Sequence, residues 1–361
     1  MARDQSPALR RGWTTGACAA AASRGAFAAI LTGRFPDPVA IRLPRGGATF
    51  PLALAELSGA GARAGVVKDA GDDPDITHGA LVVAETAWAA PGTGIGFVAG
   101  EGVGPVTRAG LSLAVGEPAI NPAPRALIRD VLTDAAAEIG APPPDLTVTT
   151  SIPGGNRLAE RTMNARLGII DGLSILGTTG IVVHYSCASW IHSIHRGIDV
   201  ARAAGLDHIA AATGATSERA VQRLYDLPDH ALIDMGDFVG GTLKYLRRHP
   251  VERLTICGGF AKLAKLAAGH LDLHSARSRV DTAWLARTLG ELGADPATLA
   301  TARAANGAAE LLGAAGELRE TLARAIAGRA REVALATICG KTAIEIAIVD
   351  RQGSFLARVG A

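Results

Sequence analysis

The sequence predicts a mixed α/β protein, with a strand-rich N-terminal α+β domain over residues 1–144 and a parallel-sheet α/β domain over residues 145–361. The second domain also carries a helical segment and short C-terminal strands. Three observations lead there. The chain has 361 residues, which favours two domains over one or three. Up to about residue 145, short apolar runs are separated by glycine turns, the pattern of strands. Beyond it, strand-like and helix-like runs alternate with short loops, which implies a parallel sheet covered on both faces. The proline run Pro142-Pro143-Pro144 marks the expected boundary.

In the first domain, Thr14-Thr15-Gly16 precedes an alanine-rich helix that Thr15 is suited to cap and Gly33 to close. VAIRLP (39–44), TFPLALAEL (49–57), residues 64–68, ALVVAETAWA (80–89) and GIGFVAG (94–100) read as strands. In the second domain, LTVTTSI (146–152) is a strand, GGNRLAERTM (154–163) starts a helix, and LSILG (173–177) is a strand ending in GTTG. Residues 187–204 are helical and closed by Gly205. HIAAAT (208–213), ALIDMG (231–236) and LTICGG (254–259) are strands. Helices follow each of them, in SERAVQRLYDL (217–227), FVGGTLKYLRRH (238–249) and GGFAKLAKLAAGHLDLHS (258–275). The alanine-, leucine- and arginine-rich stretch 281–331 predicts two or three helices. EVALATICG (332–340) and AIEIAIVDRQGSFLARV (343–359) predict strands, with a turn near Arg351-Gln352-Gly353. Ligands of parallel sheets bind beyond the carboxyl ends of the strands. Four loops are expected there: Pro153-Gly154-Gly155, Gly177–Gly180, Gly236 and Gly258-Gly259.

Hydrophobic residues make up 48% and charged residues 19%, enough for a sizeable core and against wholesale disorder. A formal net charge of +2 argues against a dedicated nucleic-acid binder but leaves room for local patches that hold an anionic small molecule. Cys18, Cys187, Cys257 and Cys339 form no CxxC pair and lie in apolar sequence, which points to buried free thiols in a reducing compartment. Arg10-Arg11 before an alanine run is similar to a twin-arginine signal, but Arg24 interrupts the run and no cleavage-type break follows before Val39. No run reaches the roughly 18 apolar residues of a membrane span, so a cytoplasmic protein is expected, without membrane or nucleic-acid partners. Homo-oligomeric assembly stays open.

Gly94-Ile95-Gly96 with Ala99 nominally fits a dinucleotide fingerprint, but Pro105 and glycines follow where a helix is required. A phosphate loop of the GxxxxGK[ST] type is absent from the sequence. The loop from Asp69 to Gly79 holds Asp69, Asp72, Asp73, Asp75 and His78. Counted from Asp73, His78 and Ala84 stand where a calcium loop needs glycine and glutamate. This loop is either a solvated turn with aspartates bonding backbone N–H groups or a source of general bases. His184, Cys187, His192 and His195 are close in sequence, yet no second cluster completes a zinc site, and no metal is expected. Lys262 lies in the first turn of its helix, where a cation opposes the helix dipole unless an anion is near. Lys262 and Lys265 either offer charge to such an anion or lay their stems over the sheet edge.

Several stretches together resemble one family. They are GWTTGACAAAA (12–22), VVKDAGDDPDITHGA (66–80), GEGVGPVTRAGLSLAVGEPAINPAPRALI (100–128), Ser151 to Asn156, NARLGIIDGLSILGTTGIV (164–182) and GGFAKLAKLAAGHLDLHS (258–275). The pattern is similar to that of the CbiD-type cobalt-precorrin-5B C1-methyltransferases of cobalamin biosynthesis. It covers roughly residues 10–275 in order, with the tail matched loosely. The resemblance implies methyl transfer from S-adenosylmethionine to C1 of an anionic corrin precursor, cobalt-precorrin-5B, giving cobalt-precorrin-6A.

A substrate with many acetate and propionate carboxylates needs dispersed cations. Lys68, Arg108, Arg125, Arg157, Arg166, Lys262 and Lys265 lie in or beside the matched stretches and are the expected substrate anchors. Gly177, Thr178, Thr179, Gly180, Gly236, Gly258 and Gly259 are the expected turns against the methyl donor. Asp69, Asp72 and His274 are the candidate catalytic side chains. The family commonly reads Gly-His-x-Gly-Lys-Leu where this chain has Gly258-Gly259-Phe260-Ala261-Lys262-Leu263. It reads Asn-Thr-His-Ser where this chain has Asp272-Leu273-His274-Ser275. Two other readings remain, a non-catalytic tetrapyrrole binder and a nucleotide-dependent enzyme using the glycine loops.

Overall fold

The computed structural model describes residues 9–59, 61–184 and 186–360. The chain divides into two compact units, Met1–Ser186 and Cys187–Ala361.

The first unit begins with β1 (Gly12–Trp13), α1 (Thr15–Thr32), the hairpin β2 (Val39–Leu43) and β3 (Gly46–Phe50), then β4 (Leu54–Ser58), β5 (Gly61–Val67), β6 (Leu81–Trp88) and β7 (Ile95–Ala99). It continues with α2 (Pro122–Ala137), β8 (Leu146–Ser151), α3 (Gly155–Ala159) and β9 (Ile181–Val182). A five-stranded sheet runs β4-β5-β6-β8-β7, antiparallel except for the parallel pair β7 and β8. β1 pairs with β9.

α1 is a core helix: Ala17 to Ala22 are all fully buried, because alanine and cysteine side chains are small enough for α2 and the sheet to approach on different sides. Its cap is Thr14, whose hydroxyl accepts from Ala17 N at 3.1 Å, rather than Thr15. The Thr15 hydroxyl instead accepts from Leu176 N at 2.9 Å, tying a distant loop to the helix start. Gly33 closes α1 in the left-handed region, φ 74°, as its sequence position predicts.

The boundary expected at Pro142–Pro144 falls inside this unit, because β8 beyond the prolines pairs with β6 and β7. LSILG does not form a strand. Leu173 and Ile175 are buried and touch Val103 and Ile120 only through isolated bridges, so their apolar character reflects burial rather than pairing.

The second unit contains α4 (Cys187–Ala203), β10 (His208–Ala212), α5 (Ala215–Tyr225), β11 (Leu232–Asp234), α6 (Val239–Leu246), β12 (Arg253–Gly259) and α7 (Phe260–Ala267). Then come α8 (Thr282–Glu291), α9 (Pro296–Ala304), α10 (Ala308–Ala314), α11 (Arg319–Ile338), β13 (Ala343–Val349) and β14 (Phe355–Val359). Its sheet runs β11-β10-β12-β13-β14, parallel except for β14. β10, β12 and β13 are buried on both faces, which explains their unbroken apolar runs. EVALATICG, expected as a strand, completes α11. Ala327, Ala330, Ala334 and Ile338 are buried at helical spacing, and Cys339 ends the helix in the left-handed region. Cys18 and Cys257 are buried as expected, and burial pushes both thiols up to about 12. Cys187 and Cys339 are exposed, against expectation, since each stands at a helix terminus.

Candidate ligand site at the carboxyl ends of the parallel strands

In the second unit, β10 is followed by α5 and β11 on one side, then by α6 and β12 on the other, so strand order reverses at β10. The crevice outside the carboxyl ends of β10 and β12 is therefore the topological switch point, where such sheets hold their ligands. Gly258 packs on the β10 end, where an added Cβ would stand 2.8 Å from the Thr213 hydroxyl. Gly214 and Gly259 face open space, with no atom within 4 Å of an added Cβ, so a ligand can approach the backbone closely at both turns. Gly236 is left-handed, φ 54°, and its N–H donates to Ala212 O at 3.2 Å. Gly236, Gly258 and Gly259 thus meet at one set of strand ends.

The Lys262 ammonium bridges this mouth. It donates to Thr213 O at 2.8 Å and pairs with Asp237 Oδ1 at 3.0 Å. Asp237 therefore supplies, from the protein itself, the anion that a lysine in the first turn of a helix requires. Trp190 of α4 lies over the β11 end. Its indole is 3.4 Å from an added Gly236 Cβ, its Nε1–H donates to Asp234 O at 3.2 Å, and 46% of the residue stays exposed. Thr213, Asp237 and Trp190 were not singled out from sequence. The signal for Asp237 was present, an acidic residue about 20 positions beyond the first strand-to-helix turn of a βαβ unit. Trp190 carries no sequence signal, because its place depends on how α4 packs.

Other expected anchors are engaged internally. Lys265, 8% exposed, donates to Leu273 O at 2.7 Å and holds the loop after α7. His274, a candidate catalytic side chain, is exposed and accepts from Ala276 N through Nδ1 at 3.2 Å, a local turn contact. His195 stacks on Tyr245 at 3.9 Å, and burial pushes its pKa down.

In the first unit the acidic loop is cross-linked. Lys68, 3% exposed, pairs with Asp75 and donates to Thr77 Oγ1 at 2.5 Å. Burial pushes the Asp75 carboxyl up, but Lys68 and Thr77 outweigh it and the net shift is downward. Asp69 is gripped by the Arg10 guanidinium and accepts from Gly71 N at 2.9 Å. The Arg10 bond is the main cause that brings Asp69 down to about 2, far from the range of a general base. Asp72 accepts from Arg10 N at 2.6 Å.

Gly177–Gly180, expected at a strand end, instead belongs to this unit and packs on the start of α1. An added Cβ at Gly177 would stand 2.3 Å from the Thr14 hydroxyl, and Gly180 O accepts from Thr14 N at 3.0 Å. Thr178 is exposed there, and Thr179 Oγ1 accepts from Ile181 N at 3.3 Å. The misplacement follows from LSILG, which is not a strand. Arg125 is bound by its own loop, donating to Ile120 O at 2.7 Å and Pro118 O at 3.0 Å and pairing with Glu117.

Beyond the parallel pair β7 and β8, three loops meet backbone to backbone. An added Cβ on Gly102 would stand 2.0 Å from Ile152 O, and one on Gly172 2.4 Å from Gly104 N. Arg157 and Arg108 are exposed on this junction, the Arg108 stem lying on Gly168, and Arg166, two residues before Gly168, is half-buried.

A doubly covered parallel sheet with a glycine-walled switch point defines an α/β protein of the class whose ligands bind at the strand ends. Within that broad class, the chain belongs to the CbiD family. The CbiD family model matches residues 2–184, and the model described as CbiD, C-terminal domain matches residues 272–360. A relative from Brucella anthropi named cobalt-precorrin-5B C(1)-methyltransferase is 55% identical over 353 residues, covering 97% of this chain and 96% of its own. A relative of the same name from Paramagnetospirillum magneticum is 56% identical, with 98% of both chains covered. A crystal structure of a cobalamin biosynthesis protein (cbiD) from Archaeoglobus fulgidus is 28% identical, with a TM-score of 0.40, over 74% of this chain and 83% of that one.

Proposed function

We propose that this chain methylates C1 of cobalt-precorrin-5B to give cobalt-precorrin-6A in corrin-ring biosynthesis, with S-adenosylmethionine as methyl donor, in the cytoplasm. The observation that carries the reading is the 55–56% identity, over 97–98% of the chain, to relatives that bear the name of this reaction. When bound, the donor supplies a sulfonium-activated methyl group whose leaving group is a neutral thioether. The protein's part is then to bind, to orient and to exclude water. Alignment of donor and carbon nucleophile is worth on the order of 7–11 kcal/mol of the barrier.

The residues at the switch point suit such a donor. Gly214 and Gly259 leave room for a nucleoside against the backbone, and Gly236 and Gly258 shape the same turns. Arg108 and Arg157, with Arg166, are the cations we assign to the carboxylates of the anionic tetrapyrrole. Each exposed pair contributes only about 0.2–1 kcal/mol, so their joint effect is orientation. Lys68, Arg125, Lys262 and Lys265 act on the protein's own oxygens in this reading, and Asp69 and Asp72 shape their loop.

The test is incubation with cobalt-precorrin-5B and methyl-labelled S-adenosylmethionine. Label in the tetrapyrrole is expected. A tetrapyrrole that binds but gains no label would make the chain a carrier, and tight ATP binding without S-adenosylhomocysteine binding would make it a nucleotide-dependent enzyme.

A further inference from the structure

The crevice carries three side chains whose arrangement goes beyond the glycine turns. Thr213, Asp237 and Trp190 surround the ends of β10 and β11. Thr213 is 8% exposed, and among the described residues its hydroxyl makes no hydrogen bond. Since it is not among the buried polar atoms without a partner, water reaches it, and a ligand in the crevice can take that water's place. Asp237 pairs with Lys262 through Oδ1 at 3.0 Å, yet this buried oxygen accepts no hydrogen bond among the described residues, so the carboxylate keeps acceptor capacity at the crevice. Trp190 is anchored at its Nε1, yet nearly half of the residue remains open. An indole held by a hydrogen bond beside a left-handed glycine is a fixed aromatic surface, since two contacts set its orientation before any ligand arrives.

We propose that these residues form the nucleoside subsite of the crevice. The proposal rests on the reading that the second unit holds the methyl donor. The Trp190 indole stacks on the adenine, and the Asp237 carboxylate accepts from the ribose hydroxyls. Thr213 lines the floor between them. An acidic residue about 20 positions beyond the first strand-to-helix turn serves the same chemistry in dinucleotide-binding sheets, because a carboxylate accepts from a vicinal diol. Lys262 is a positioning residue: its bonds to Thr213 O and Asp237 hold the carboxylate over the β10 end.

The experiment measures S-adenosylhomocysteine binding to the full chain by calorimetry and by tryptophan fluorescence. The chain has 4 tryptophans, so quenching is assigned by substitution. Wild type is expected to bind with quenching and to prefer S-adenosylhomocysteine over its 2′,3′-dideoxy analogue by about 10- to 100-fold, the range for hydrogen bonds to a charged group. Trp190→Phe removes the quenching, and Trp190→Ala weakens binding by about 10-fold or more. Asp237→Asn binds the two ligands with nearly equal affinity. Lys262→Met narrows the same preference and Lys262→Arg restores it, which a purely structural lysine would not do. Wild-type binding with Trp190→Phe still quenched, or with Asp237→Asn still discriminating, overturns the subsite and leaves the methyl-donor reading standing. No binding to wild type overturns that reading, and the subsite with it.

Discussion

Single residues decide which charges are available in this protein. Lys68 was expected to meet a substrate carboxylate, but it meets Asp75 inside the first unit. Replacing Lys68 with methionine leaves the part-buried Asp75 without its cation. We expect a loss of about 3 kcal/mol in stability, read from the urea midpoint, at the low end for a broken buried pair because Asp75 keeps some water access. Asp69 is different. Its pair with Arg10 is exposed, so Asp69→Asn is expected to leave turnover within about fivefold of wild type in a methyl-transfer assay. A larger fall would return Asp69 to the chemistry. Close approach is the other residue-scale constraint. At Gly102, φ 71°, a Cβ would overlap Ile152 O, so Gly102→Ala is expected to lower the melting temperature by several degrees through displacement of the strand-end loops.

At the scale of elements, the helix and strand patterns that sequence shows best are those with one clear period or a strong terminator. Gly33, Gly205 and Gly236 stand where the structure uses them, each in the left-handed region at the end of a helix or strand. Caps were less legible. Thr14 and Thr15 are adjacent hydroxyls, and only the loop bearing Leu176 shows that Thr15 is engaged elsewhere. Thr14→Ala is expected to destabilise α1 by about 1 kcal/mol, measurable by thermal unfolding, while Thr15→Ala loosens the 176–180 loop instead. The end of α11 departs from the strand its sequence predicts because an alanine-rich apolar run fits a buried strand or a buried helix equally well. LSILG failed for a related reason: a short apolar run reports burial, not its hydrogen-bond partner.

At the scale of the whole molecule, each unit has its own core. The second also buries a charge network that ties strands together. Glu345, 1% exposed, accepts from Tyr225 Oη at 2.6 Å, Thr255 Oγ1 at 2.8 Å and Arg358 at 2.9 Å, with Arg253 at 3.4 Å. Burial pushes the Glu345 carboxyl up, but the bonds from Tyr225, Thr255 and Arg358 outweigh it and the net pKa is lowered from 4.5. A carboxyl depressed in the folded state adds stability above its unfolded pKa, and that stability is lost as pH falls through the folded value. Stability of the second unit is therefore expected to decline below about pH 4.5. Glu345→Gln is expected to flatten that decline and to lower neutral-pH stability by about 3 kcal/mol in urea titrations, since both arginines lose their buried partner but keep partial access to water.

By itself, the sequence determined the α/β class, the alternation that makes the second unit's parallel sheet, and the family, because periodicity, turn residues and ordered motifs are local properties of the chain. Tertiary structure alone decided that β8 belongs to the first unit, that Lys68, Arg125 and Lys265 answer the protein's own oxygens, that Trp190 stands beside Gly236, and that Lys262 pairs with Asp237. Which partner a charge or a ring finds depends on residues distant in the chain, and no local pattern encodes that distance.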